Sequence, residues 1–278
     1  MTEYLPVDGG TIAYEVAGSG PLVVLAHGMG DSRAAFRHVA PRLVAAGYRV
    51  ASVDLRGCGE SSVDWPSWSR TDIAGDLLAV IRHLGGPAVL VGHSVSGGAA
   101  TVAAAAEPSL VTAVVELAPF TRKQSLRLGD LRVARFRRGM LRLLGAGVLG
   151  SLPLWRSYLD VAYPGVKPDD WTERLGRIDS LLREPGRMKA MQSMGRSAPT
   201  DSRRPARPRP LPGPGGDGHG GPRLGRPARR GLGGRRGPAV RPRPPRDDRG
   251  AGHYPHDQYP DRVVALVLDF LRAEAARA

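Results

Sequence analysis

Residues 91–98, VGHSVSGG, set one serine hydroxyl among glycines. Ser94 lies two residues after Gly92 and shortly before Gly97 and Gly98. That spacing fits a strand turning directly into a helix, where only tiny neighbours clear the crossing backbone. Such a turn lifts the hydroxyl above the sheet edge and aims the Val95 amide into the same space. A second amide, that of Met29 in residues 27–30 (HGMG), would face it from another Gly-rich stretch. A hydroxyl nucleophile beside two backbone donors at a helix N-terminus suits acyl transfer, because the donors meet an oxyanion where its charge develops. Read alone, Gly92-x-Ser94 also fits a plain tight turn, so the surrounding elements decide.

Those elements alternate. TIAYEVA (11–17) alternates apolar and polar residues like a half-exposed strand. PLVVLAHG (21–28), YRVASVDL (48–55), AVLVGHS (88–94) and VTAVVELAP (111–119) are short continuous apolar runs, as expected of strands covered on both faces. Between them lie helical patterns. Asp31 and Ser32 can cap a helix carrying Phe36, Val39, Leu43 and Val44. RTDIAGDLLAVIRHLGG (70–86) places Ile73, Leu77, Leu78, Ile81 and Leu84 on one side, and GGAATVAAAAE (97–107) is a small-residue helix. The pattern predicts a mostly parallel, doubly wound α/β sheet with helices on both faces. Functional groups gather beyond the carboxyl ends of such strands, which points to 27–30, 54–61 and 92–97. His27 and His93 read as scaffold for these turns, and His38 and His83 as helix side chains in solvent or satisfied locally.

Together HGMG, DLRGCGES (54–61), GHSVSGG and GAGHYPHDQYPDRV (250–263) resemble the α/β-hydrolase superfamily, in its serine-nucleophile branch. The resemblance covers residues 10–120 and 250–275. It implies Ser94 as nucleophile, His253 as general base on a loop after the last strand, and the Met29 and Val95 amides as oxyanion hole. PDRVVALVLDFLRAEA then reads as the closing amphipathic helix. Ser96 stands where the family's nucleophile turn usually has glycine, and serine is small enough to fit. Serine at position 94 speaks against the dehalogenase and epoxide hydrolase branches, which need a carboxylate to form their ester intermediate. No metal and no cofactor enter this scheme, the partner is a small-molecule substrate, and the orienting acid is unassigned; Asp130 is a remote substitute.

Residues 121–199 read as a helical cap over the site, with 1–120 and 250–278 as the core. Trp155, Tyr158, Tyr163 and Trp171 fit either an apolar acyl pocket or simple packing. Arg135, Arg137, Arg138 and Arg142 fit either a solvated cap face or contact with a membrane surface or anionic substrate.

The chain has 278 residues and a formal charge of +14. Residues 201–250 alone hold 14 Arg, no Lys and four acids, so the remainder is close to neutral. The stretch 203–250 contains only Arg, Pro, Ala, Leu, Gly, Asp, His and Val, all encodable by codons beginning with C or G. A GC-rich gene read with its third codon bases in first place produces that composition. Restoring the slip from Leu211 onward permits the reading CPVLVVMGTADPD, which resembles a hydrolase strand and acid loop. As written, 200–249 is an irregular or disordered segment in place of the seventh strand, acid loop and eighth strand, and Asp217, Asp247 and Asp248 belong to the shifted frame. An authentic arm of this kind would bind nucleic acid through charge alone, without sequence specificity and without aromatics for base stacking. The single Cys58 excludes an internal disulfide. MTEYLPVDGG lacks a signal-peptide pattern and no run reaches ~18 apolar residues, so neither leader nor membrane anchor is expected, and the location is cytoplasmic. Three readings follow: a serine hydrolase acting on a small ester or related carbonyl, its activity impaired where the acid loop is lost; a catalytically dead ligand-binding relative; and a nucleic-acid binder built on the basic segment.

Overall fold

The computed structural model describes residues 1–119, 134–197 and 251–276. Asp130, the Arg/Pro/Gly-rich segment 200–249 and its Asp217, Asp247 and Asp248 lie outside the described residues, as does the side chain of Arg135. Among the described residues six strands form one sheet in the order β1-β2-β4-β3-β5-β6. They are β1 (Thr2–Val7), β2 (Gly10–Ala17), β3 (Leu22–Ala26), β4 (Arg49–Val53), β5 (Ala88–His93) and β6 (Val111–Leu117). β3 runs parallel to β4 and β5, and β5 parallel to β6. The mostly parallel α/β sheet expected from the apolar runs is present.

One departure is the antiparallel hairpin β1–β2, which the pattern reading missed at β1. Val7 pairs with Gly10 across a two-residue Asp8-Gly9 turn in which Gly9 has φ +90°. Asp-Gly flanked by alternating residues is a strong hairpin signal, so the sequence carried it.

The buried strands owe their composition to helices on both faces. Side chains alternate across a strand. Val23 and Leu25 therefore pack with Phe36, Leu43 and, from α9 (Pro260–Ala275), Val263, Val267 and Leu271. Leu22, Val24 and Ala26 pack the other way, against Ile73, Leu77 and Ile81 of α2 (Arg70–His83) and Ala99, Ala100 and Ala103 of α3 (Val95–Ala106). Fully burying each Val or Leu stabilises the fold by about 1.5–3 kcal/mol. Ser69 starts α2 with a reciprocal capping box: its hydroxyl accepts from the Asp72 amide and the Asp72 carboxylate accepts from the Ser69 amide.

The helix expected after Asp31 and Ser32 is instead a 3-10 turn, Arg33–Phe36, followed by α1 (Ala40–Ala45). Pro41 lies in the first turn of α1, and its missing N–H stops a continuous ladder from running through. Ser32 makes no side-chain cap, and His38 lies in the intervening turn rather than on a helix. Its ring nitrogen is 3.6 Å from Asp170. His83 sits exposed at the end of α2, edge-on to Tyr14.

After β6 come α4 (Ala134–Leu149), α5 (Leu152–Ala162), α6 (Trp171–Arg183) and α7 (Arg187–Arg196). The helical cap expected over 121–199 is thus broken into separate helices at turns. Gly150 (φ +63°) and the Ser151 cap divide α4 from α5; Pro185 and Gly186 (φ +84°) divide α6 from α7. These helices bury a core of their own around Trp155, Leu159, Tyr163, Ile178, Leu182 and Met191, which Tyr254 joins from the C-terminal segment. Among the described residues no helix is long and apolar enough to cross a membrane.

Register sets up the site. Ala26 pairs with Val53 on one side and with Gly92 on the other. The exits of β3, β4 and β5 thus stand side by side, and all three Gly-rich turns open at one sheet edge.

Candidate active site

Ser94 is the N-cap residue of α3, with φ 58° and ψ −115°. A serine held at positive φ costs on the order of 1–3 kcal/mol and persists only when its surroundings enforce it. Here the enforcement is visible. The Ser94 amide donates to the Leu117 carbonyl of β6 at 3.0 Å. A Cβ on Gly92 would lie 2.5 Å from the Ser96 carbonyl oxygen and 2.7 Å from the Gly97 backbone, so residue 92 must be glycine. Ser96, fully buried, fills its unusual position actively. Its hydroxyl donates to the Ala26 carbonyl at 2.6 Å and accepts from the His93 amide at 2.9 Å, tying the nucleophile turn to the end of β3.

The HGMG turn lies directly against the nucleophile. A Cβ on Gly28 would come within 3.2 Å of the Ser94 Cβ. His27 is fully buried and structural: Nδ1–H donates to the Gly28 carbonyl at 2.6 Å, and Nε2 accepts from the Leu55 amide at 3.1 Å. Burial holds its imidazole below the ordinary range, against the pull of Asp31 and Asp54. Val95 opens α3, where a first-turn N–H has no acceptor inside the helix.

His253 arrives from the far end of the chain, its Nε2 3.1 Å from Ser94 Oγ. A short loop bound to the helices after β6 holds it. The His253 amide donates to the Ala162 carbonyl at 2.9 Å, and the Gly252 amide to Gln258 Oε1 at 2.7 Å. Gln258 Nε2 in turn donates to the carbonyls of Pro164 and Val166, each at 2.8 Å. A Cβ on Gly252 would sit 2.1 Å from the Ala162 oxygen, so the loop passes there only as glycine. Burial lowers the His253 imidazole to about 4. The next turn, α8 (Pro255–Gln258), buries His256 against Phe36 and His93, at centroid separations of 4.8 and 4.6 Å.

DLRGCGES proves to be scaffold. The buried Asp54 carboxylate accepts from the Arg33 amide at 2.6 Å and the Glu60 amide at 2.9 Å, and pairs with the Arg33 guanidinium. Arg56 grips Asp76 through two nitrogens, at 2.7 and 2.8 Å. Cys58 is buried, and burial pushes its thiol up to about 12, leaving it inert as a nucleophile.

Sequence reasoning missed a buried charge network beneath the site. Asp31, expected as a helix cap, pairs with Arg174 of α6 at 2.5 Å. Arg174 Nε also lies 3.7 Å from Asp257, which meets Arg37 at 2.7 Å and accepts from the Tyr163 hydroxyl at 2.7 Å. Arg37 closes the set with two bonds to Asp170, at 2.6 and 2.5 Å. The network joins the helices after β6 to the β3 exit and to the base-bearing segment. No spacing rule reveals it, because its members are scattered over 226 positions; only Arg174, an arginine on a helix flank, hints at it. Arg174 is 1% exposed. Burial pushes the Asp31 carboxyl up, but the Arg174 charge outweighs it, and the net result is a carboxyl held below its ordinary range. Arg174→Met strands that charge and is expected to lower unfolding free energy by about 3–5 kcal/mol. Because the folded value is depressed, the Asp31 contribution is present above pH ~4 and fades as pH falls through the folded value. Urea unfolding at pH 7 and pH 3 checks both: the gap between parent and variant narrows at the lower pH.

Trp155 and Tyr163 are core residues, stacked with Tyr158 and Tyr254 at 5.2 and 4.5 Å. Packing, one of the two roles open from the sequence, is what these rings do; Trp155 also abuts Gly30 of the HGMG turn. Arg137 and Arg138 are exposed, and Arg142 donates to the Ser157 carbonyl at 3.1 Å. The buried carboxylates of Asp54, Asp257 and Asp31 are paired with Arg33, Arg37 and Arg174. Among the described residues there is no cluster of three or more His, Cys, Asp or Glu able to hold a metal ion.

Residues 23–266 match the family model for the alpha/beta hydrolase family. The chain belongs to the alpha/beta hydrolase family. A 2-(acetamidomethylene)succinate hydrolase of Mesorhizobium japonicum is 32% identical over 168 residues, 59% of this chain and 57% of that protein. Epoxide hydrolase B of Mycobacterium tuberculosis is 40% identical over 92 residues, 30% of this chain and 26% of that one. The chain therefore spans less than two thirds of the length of these relatives. Among solved structures, a Pseudomonas aeruginosa protein proposed to be an epoxide hydrolase aligns with TM-score 0.68 at 20% identity, covering 99% of this chain and 96% of that one. An esterase from Exiguobacterium antarcticum aligns with TM-score 0.54 at 23% identity over 70% and 72% of the two chains. These likenesses concern the fold.

Proposed function

We propose that the protein is a serine hydrolase that cleaves a small ester or related carbonyl substrate by acyl transfer. The observation that carries this is the 3.1 Å approach of Ser94 Oγ to His253 Nε2, across a turn that strains the serine toward the β3 exit. Ser94 Oγ–H gives its proton to Nε2 as the oxygen attacks the carbonyl carbon. The tetrahedral oxyanion lies between the Met29 and Val95 amides. As the intermediate collapses, His253 returns the proton to the departing alcohol, leaving Ser94 acylated. Water activated by the same imidazole then releases the acid. The helices α4–α7 act as a cap, and Trp155 and Met191 pack against Gly30 of the oxyanion loop. The names of the relatives include epoxide hydrolases. Ring opening through an ester intermediate needs a carboxylate nucleophile, and this chain offers a hydroxyl at that place.

The pH dependence tests the base. His253 works when neutral, and burial sets its folded value at about 4. The expected kcat/KM with p-nitrophenyl acetate therefore rises tenfold per pH unit below ~4 and is level from ~5 to 8. A midpoint near the ordinary histidine value of ~6.5 contradicts the buried-base geometry.

A further inference from the structure

We propose that His93 is a positioning residue that fixes the general base by holding its main chain. This inference rests on the Ser94–His253 reading and deepens it. His93 Nε2 lies 2.8 Å from the His253 carbonyl oxygen. A carbonyl only accepts, so Nε2 carries the proton and donates. Together with the bond from the His253 amide to Ala162, both backbone polar groups of the base are then occupied. One side chain, adjacent in sequence to the nucleophile, thereby sets the placement of a base 160 positions away.

The His93 ring is built to stay where it is. It is fully buried and packed among the rings of His253, Tyr254 and His256, at 4.9, 4.8 and 4.6 Å. Its own amide is held by Ser96, whose hydroxyl is anchored to Ala26 of β3. The second ring nitrogen, Nδ1, has no hydrogen-bond partner among the described residues; it faces Gly28, where a Cβ would come within 2.7 Å. Burial, with His256 and His253 alongside, keeps the imidazole neutral far below its ordinary range, so a single N–H is available and it is spent on the His253 carbonyl. Phenylalanine fills the same space without a donor. Glutamine places an amide N–H close to where Nε2 stands.

The test measures phosphonylation of Ser94 in the full chain by a fluorophosphonate probe, followed by intact mass, with melting temperature recorded for each variant. His93→Phe is expected to slow the saturating labelling rate by about 10- to 100-fold, since a base displaced by ~1 Å loses up to that much. The half-saturating probe concentration is expected to stay put, and His93→Gln to recover most of the rate. A folded His93→Phe that labels at the parent rate, or a folded His93→Gln as slow as Phe, overturns the proposal. His253→Ala labelling as fast as the parent overturns the underlying Ser94–His253 reading instead. Nitrogen-15 NMR of the unsubstituted chain decides independently of any variant's folding. A proton on His93 Nε2, protected from exchange, is the expected result; a proton on Nδ1 rules the contact out.

Discussion

Ser94→Ala lowers p-nitrophenyl acetate hydrolysis by about 10³-fold or more at pH 7, to the level that oxyanion donors and binding alone sustain. The size of the effect follows from the geometry. Ser94 Oγ is the oxygen aimed by the strained φ 58° turn and within 3.1 Å of an imidazole nitrogen. Cys58, the one alternative sulfur nucleophile, is buried with its thiol pushed up to about 12. The substitution removes a hydroxyl without adding bulk and keeps the Cβ that carries the backbone strain, so melting temperature is expected to change little. A variant that retains parental turnover while folding normally assigns hydrolysis to another group.

Restoring the reading frame across residues 203–249 raises turnover of the same ester by about 10³- to 10⁴-fold over the chain as it stands. Two arguments give the magnitude. First, the reading CPVLVVMGTADPD ends an apolar run in aspartates, and an orienting carboxylate behind a catalytic imidazole is worth about 10⁴ in turnover. Second, β6 ends the sheet among the described residues, and the restored run has the composition of a buried strand to lie beside it. Each buried Val or Leu it adds contributes about 1.5–3 kcal/mol before chain entropy is offset. The restored protein is therefore expected to melt several degrees higher. Substituting the candidate aspartate by asparagine then reverses the gain in rate and leaves the gain in melting temperature. Equal rates for the two chains, or a genomic sequence that codes 203–249 without interruption, removes the slipped-frame account.

The sheet was legible because its strands are buried on both faces, which forces runs such as LVVLA, and because Gly28, Gly57 and Gly92 mark the exits. The nucleophile turn was legible for the same reason: Gly92 answers to backbone contacts of 2.5–2.7 Å that any sequence with that geometry must respect. The hairpin strand β1 was written in Asp8-Gly9 and overlooked. What could not be read was tertiary. Nothing local says that Asp31 answers Arg174 rather than a helix amide, that Ser96 reaches across to Ala26, or that His93 meets the carbonyl of His253. These are contacts between segments 70–160 positions apart, chosen by packing and by the need to satisfy buried polar groups. The single long helix expected after Ser32 failed on Pro41, whose effect on the ladder outweighed the apolar spacing around it.

The most direct measurement mixes the protein with p-nitrophenyl acetate, quenches in acid within the first turnover, and locates the acetyl group by peptide mass spectrometry. Acetyl on the peptide carrying Ser94, absent from His253→Ala treated the same way, is the predicted result. Ester cleavage with no acyl group on Ser94, or an adduct that forms equally without His253, contradicts it.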